Sequence, residues 1–271
     1  MSKVDCPKFK NPPVVETVLT VQFDELQDFK TAHFGMFYET VKARFPEVID
    51  RGRLDPVVET FPRGRMPKGA FQFITGDQGP GPQRVWYRQP DNGSMMLQLQ
   101  PDRFAFNWAG KEGTEYPHYD SNRPVFIEEF ENFSKFVNDH SIGKVLPNLC
   151  EVTYINHIYP EPEEDVIEFF ESSFKGLKWE TSDSWLKDLP ELVAYNRVYV
   201  IGDEQGRLYV EANINQDKER KKFILLKITG RVIHKEEDSL LENMDLAHLW
   251  VVKSFVSLTE EHVQIERWKR F

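Results

Sequence analysis

Residues 11–23 read NPPVVETVLTVQF. Val15, Thr17, Leu19, Val21 and Phe23 alternate with Val14, Glu16, Val18, Thr20 and Gln22, and β-branched side chains dominate. Successive side chains on a strand point to opposite faces, so this spacing predicts a strand with one apolar and one mixed face. The stretch CEVTYINHI, ending at Ile158, has the same character and opens the second half of the chain.

Working outward, Phe34, Phe37, Tyr38, Val41 and Phe45 recur at helical spacing between Ala32 and Phe45, and Pro46 closes that helix. Residues 46–68 are irregular and basic, with Arg51, Arg53, Arg63, Arg65 and Lys68 against Asp55 and Glu59. Strand-like runs follow at Ala70–Thr75, Arg84–Arg88, Met95–Gln100 and Arg103–Trp108, divided by turn chemistry such as Pro90-Asp91-Asn92-Gly93. The Gly/Pro-rich GDQGPGP after Thr75 lacks a phosphate-loop lysine and reads as a hairpin loop. A helix is predicted from Pro124 to Asn138, with the proline in its first turn. In the second half, an acidic turn at Pro160–Asp165 precedes a helix from Val166 to Phe174. Strands are predicted at Ala194–Ile201, Arg207–Asn213 and Phe223–Ile233, and a final helix over Ser239–Leu258.

Laid side by side, the halves match in order. Glu16–Leu19 meets Glu151–Tyr154, Ile74–Gln78 meets Val200–Glu204, and Leu97–Gln100 meets Leu226–Thr229, each of this last pair followed by a turn and an arginine, Arg103 or Arg231. The expectation is an α+β fold of two tandem β-α-β(3–4)-α repeats, residues 1–145 and 146–271. They would form one curved antiparallel sheet with long helices on one face, in the manner of a helix-grip or TATA-binding-like pseudo-dimer. Ordinary alternation of strands and helices gives a similar order without duplication.

The 271 residues carry 34 basic and 44 acidic side chains, a formal charge of −10. That balance disfavours a nucleic-acid binder, whose affinity comes from neutralising phosphates. Cys6 and Cys150 form no metal-ligand pair or disulfide framework, and the seven histidines are scattered, so no metal or cofactor is expected. No apolar run approaches membrane-spanning length and the start, MSKVDCPKFK, is polar, so a cytoplasmic protein is expected.

Alternation directs Leu97, Leu99, Phe104, Phe106 and Trp108 toward the helices and Gln98, Gln100, Arg103 and Asn107 to the other face. Glu16, Thr20, Gln22, Glu151, Thr153, His157, Lys227 and Thr229 join them if the repeat holds. The four residues named first are expected to be solvent-accessible and to bind a partner, with Arg103 tolerant of charge reversal. Asp245 and His248 share a helix face and complete the candidate binding set. No nucleophile signature accompanies them, so no catalytic residue is assigned. The function expected is binding of a protein, a peptide or a small ligand on the polar sheet face or in a groove beside it. Two alternatives stand: an enzyme built near Arg103, Asp245 and His248, and nucleic-acid binding through the sheet.

NPPVVETVLTVQF, LQLQPDRFAFNW with YPHY, EVTYINHI and MDLAHLWVVKSF together resemble a sporadically distributed bacterial protein family of about this length, over Asn11 to Phe255. The matching positions include Asn107, Trp108, Tyr116, Tyr119, Asp245 and His248. The resemblance implies a bacterial accessory protein connected with defence or toxin–antitoxin loci, and it carries over no catalytic residue.

Overall fold

The computed structural model describes residues 7–61, 84–90, 95–110, 115–177, 185 and 190–271. The strands are β1 (Val14–Phe23), β2 (Glu47–Arg51), β3 (Arg84–Arg88), β4 (Met95–Gln100), β5 (Arg103–Ala109), β6 (Pro147–Ile158), β7 (Ala194–Ile201), β8 (Gly206–Gln216) and β9 (Lys222–Ile233). The helices are α1 (Thr31–Val41), α2 (His118–Asp139), α3 (Val166–Ser173), α4 (Leu240–Leu258) and α5 (Glu261–Glu266). The nine strands of the described residues join one open antiparallel sheet in the order β2-β3-β4-β5-β1-β6-β9-β8-β7. The stretch quoted first therefore lies at the heart of the sheet, with β1 paired to β5 on one side and β6 on the other.

The helices bury the apolar side of the sheet. Phe133 of α2 packs at ring-centroid distances of 5.5 Å on Phe104, 5.6 Å on Phe37 and 5.7 Å on Phe23, tying α1 and α2 to β1 and β5. Leu97, Leu99, Phe104, Phe106 and Trp108 are all buried, as is Phe255 on α4. α4 lies close over β6 and β9, and Gly230 permits this: a Cβ there would sit 2.6 Å from the Ala247 carbonyl oxygen.

Several expectations are corrected. α2 begins six residues before Pro124, which lies inside the helix. The missing amide is offset by tertiary anchors in the early turns, where Asn122 donates to Thr17 and Tyr119 donates to Asp245. β2 lies within the stretch read as irregular, and α5 was not predicted. The strand at Ala70–Thr75, the GDQGPGP loop and the Ile74–Gln78 match fall outside the described residues. Of the internal matches, Glu16–Leu19 and Glu151–Tyr154 lie on the two central strands. Leu97–Gln100 and Leu226–Thr229 do not correspond: β4 is two strands from β1, whereas β9 borders β6, and Arg231 lies within β9 rather than after a turn. An apolar–polar alternation is common to every half-buried strand, so four residues of it align with any other.

Candidate functional site

Pairing register places Glu16, Thr20, Gln22, Gln98, Gln100, Arg103, Asn107, Glu151, Thr153, His157, Lys227 and Thr229 on the side of the sheet away from α2 and α4. This polar face is ordered by its own side chains. The Trp86 indole N–H and the Arg84 Nη1 donate to Gln98 Oε1 at 2.8 and 3.1 Å. Gln98 Nε2 donates to Asn107 Oδ1 at 2.7 Å, and Asn107 Nδ2 to Glu16 Oε1 at 2.6 Å. An indole nitrogen can only donate, so Gln98 must accept there and pass its amide hydrogens onward, and the direction holds to the Glu16 carboxylate. Burial, opposed by the Asn107 bond, raises the Glu16 pKa.

Part of this face is covered by the chain itself. Residues 52–61, GRLDPVVETF, leave β2 and cross the strands as an extended strap. The Leu54 N–H donates to Gln100 Oε1 (3.2 Å) while Gln100 Nε2 donates to the Leu54 carbonyl (3.0 Å). The Val57 N–H donates to Gln22 Oε1 (2.7 Å) while Gln22 Nε2 donates to the Val57 carbonyl (2.9 Å). Each glutamine thus holds one residue's peptide groups as a neighbouring strand would. The spacing fits: three extended residues span about 10 Å, and β4 and β1 are two strands apart, also about 10 Å. Arg103 Nη2 donates to Gln22 Oε1 and to the Asp55 carbonyl at 3.0 and 3.2 Å.

Ionic contacts fasten both ends. Arg53 bridges Asp102 and Glu25 at 2.9 and 2.8 Å. At the far end Glu59, whose side chain is 1% exposed, accepts from Arg207 of β8, with a side chain 4% exposed, and from the Tyr209 hydroxyl at 2.6 Å. Arg231 lies 3.8 Å from the same carboxylate and also binds Glu151. Burial pushes the Glu151 carboxyl up, but Arg231 and Arg103 outweigh it and hold the pKa below the usual range.

The face is less accessible than expected. Gln98 and Arg103 are half-buried, whereas Gln100 and Asn107 are only 1% and 3% exposed. Arg103 is therefore no freely solvated position: charge reversal there would set a carboxylate against Gln22 Oε1 and the Asp55 carbonyl. Sequence reading missed the strap because nothing in GRLDPVVETF has a period, and its partners are side chains distant along the chain. The basic run from Arg51 was a partial signal.

Asp245 and His248 lie elsewhere. They sit on α4, on the helix side, so the sheet divides the six candidate residues into Gln98, Gln100, Arg103 and Asn107 on one face and this pair on the other. Asp245 takes the Tyr119 hydroxyl at 2.8 Å and both forks of Arg123 at 2.7 and 2.9 Å. His248 stacks flat on Tyr119, centroids 3.8 Å apart. Tyr116, against Trp108 at 5.3 Å, bonds the Tyr154 hydroxyl at 2.7 Å. Most positions carrying the family resemblance thus meet in one aromatic cluster, with Asn107 apart on the polar face. Burial draws the His248 pKa down to about 4 despite Asp245 and Asp120 nearby. A neutral stacked imidazole joins two helices, and Asp245 spends both oxygens on Tyr119 and Arg123.

Among the described residues no three His, Cys, Asp or Glu side chains converge on a metal-sized site, and no helix is long and apolar enough to cross a membrane. Comparisons of the chain with protein-family models, with curated proteins and with solved structures find no match.

Proposed function

We propose that this chain is a non-enzymatic binding protein whose polar sheet face receives an extended peptide segment of a partner beside the strap. The observation that carries this reading is the strap itself: glutamine amides projecting from this face grip a polypeptide backbone at both N–H and C=O, without regard to its side chains. Next to it, the directional row from Trp86 to Glu16 ends on a carboxylate able to accept a partner's amide or ammonium hydrogens. One catalytic site combining Arg103 with Asp245 and His248 has no support in this geometry, because the sheet lies between them. We also infer a tandem duplication. β1 and β6 lie side by side, and β5, β4 and β3 follow β1 outward as β9, β8 and β7 follow β6.

Panning a library of extended peptides against the full chain tests the reading. Binders are expected that bind Glu16→Lys at least tenfold more weakly than the parent, with the variant's circular dichroism unchanged. Absence of binders, or equal binding by Glu16→Lys and Gln98→Ala, overturns it. Retention of a small molecule rather than a peptide in native mass spectrometry overturns the choice of partner.

A further inference from the structure

Where the strap leaves β2, the polar face gathers positive charge. Arg51 and Arg84 are paired across β2 and β3, and Gln100 and Arg103 across β4 and β5, with Val85 opposite Leu99 fixing the register between the two pairs. Three guanidinium groups therefore lie along one row of the face, interrupted by a glutamine. Among the described residues none of the three makes an ion pair, whereas Arg53 nearby makes two. Arg51 stacks over the Trp86 ring at 4.2 Å and is otherwise exposed. Arg103 reaches only an amide and a carbonyl oxygen.

Arg84 is the anomaly. It is 6% exposed, it gives one hydrogen bond to Gln98 Oε1, and its Nε, like that of Arg103, is buried without an acceptor. Buried guanidinium groups are ordinarily matched by a carboxylate, because leaving water uncompensated costs several kcal/mol. Arg207 on the same face obeys that rule with Glu59. Burial draws the Arg84 pKa down to about 10, and among the described residues its charged neighbours, Arg103 and Arg51, are both of its own sign and add to that shift.

We propose that Arg84, Arg51 and Arg103 form a binding site for a phosphate group on the polar face at the root of the strap. A guanidinium fork matches phosphate or carboxylate oxygens equally in shape. Arg84 and Arg51, with no carboxylate partner among the described residues, and Arg103, only partly offset by Glu151 and Asp102, favour the group that carries nearly two negative charges and three or more acceptor oxygens. Arg84 supplies the buried Nε–H, Arg51 closes over the ligand from the exposed side of Trp86, and Arg103 adds charge from two strands away. The site is independent of the peptide reading, since the strap's backbone leaves the guanidinium groups of Arg84 and Arg51 unbonded and takes a single hydrogen bond from Arg103 at the Asp55 carbonyl.

Calorimetric titration of the full chain with inorganic phosphate, in phosphate-free buffer of low ionic strength, tests the site. Saturable binding at one site is expected, weakened about fivefold or more in Arg51→Ala and lost in Arg84→Met. Phosphate at ten times its Kd should raise the wild-type melting temperature by about 3 °C and leave that of Arg84→Met unmoved. If Arg84→Met does not fold, Arg51→Ala carries the test, because that side chain is exposed and rests on the Trp86 indole. A nucleoside monophosphate that binds tenfold more tightly than free phosphate supports the site and assigns its source to a phosphate monoester; equal binding supports it as a site for the free ion. Acetate binding as tightly as phosphate overturns the choice of ligand. No saturable binding, or wild-type affinity in both variants, overturns the site.

Discussion

Removing the Glu59 carboxylate should release the far end of the strap and destabilise the whole sheet. The side chains of Glu59 and Arg207 are 1% and 4% exposed, and the carboxylate also serves Tyr209 and faces Arg231. In Glu59→Ala, Arg207 keeps only the Thr60 carbonyl and its contact with the Phe61 ring at 4.1 Å. Breaking a buried pair from one side costs about 3–5 kcal/mol, and the stranded Tyr209 hydroxyl adds about 1 kcal/mol. The strap can then lift and admit water to Arg207, which returns part of that cost, so a net loss of about 3 kcal/mol is expected. Glu59→Gln keeps an oxygen for Arg207 and Tyr209 but drops the charge, and should lose about 1.5–3 kcal/mol. Replacing the pair together, Glu59→Leu with Arg207→Met, should fall well below the sum of the single losses. Equilibrium urea unfolding measures each of these variants and the two single replacements of the pair, and amide exchange across residues 52–61 should accelerate in Glu59→Ala. A loss under about 1 kcal/mol in Glu59→Ala, with exchange unchanged, would show that the strap is not held by this clamp.

Three further outcomes are expected. His248 has a folded pKa of about 4 against an ordinary 6.5, so the unfolded chain binds its proton first; its contribution is complete above pH 6.5 and is lost as pH falls toward 4. The slope of melting temperature over that window should flatten in His248→Phe, and an unaltered slope refutes the assignment. Gly230→Ala forces a methyl group toward the Ala247 carbonyl and should cost about 1–3 kcal/mol in urea unfolding, a loss absent if α4 is free to shift. Cys150 is buried with its thiol pushed up to about 12, so peptide mapping after iodoacetamide should find it unmodified in the native protein and modified after denaturation; rapid native labelling contradicts that placement.

Much of this architecture is local and was legible in the chain. Alternation in NPPVVETVLTVQF and LQLQPDRFAFNW assigned strands and faces correctly, because a strand's two faces are decided by residue parity alone. Leu97, Leu99, Phe104, Phe106 and Trp108 lie against the helices, and Gln98, Gln100, Arg103 and Asn107 oppose them. Helical periodicity likewise located α1, α3 and α4 to within a few residues, and the Asp165 and Ser239 caps mark where two of them begin. α2 was misjudged at its start because a proline is a strong local signal, whereas the anchors that override it, Asn122 on Thr17 and Tyr119 on Asp245, join residues more than a hundred positions apart.

What the chain could not disclose is which polar residues meet. Asp245 and His248 are three residues apart and share a helix face, yet their partners are Tyr119 and Arg123 of another helix, and the sheet divides them from Arg103. Gln22 and Gln100 look like solvated strand positions until residues 52–61 cross over them. That crossing has no period, because hydrogen bonds from glutamine side chains to a backbone do not constrain the side chains of the segment they hold. Likewise, Arg84 reads as one basic residue among 34, and only the packed sheet buries it among cations, with no ion-pair partner among the described residues. Local periodicity determines how each element is made and which way it faces. Which charges are compensated and which are left over is decided only when strands from both halves of the chain lie side by side, since Coulomb energy depends on distance in space and on exclusion from water, and neither is written along the chain.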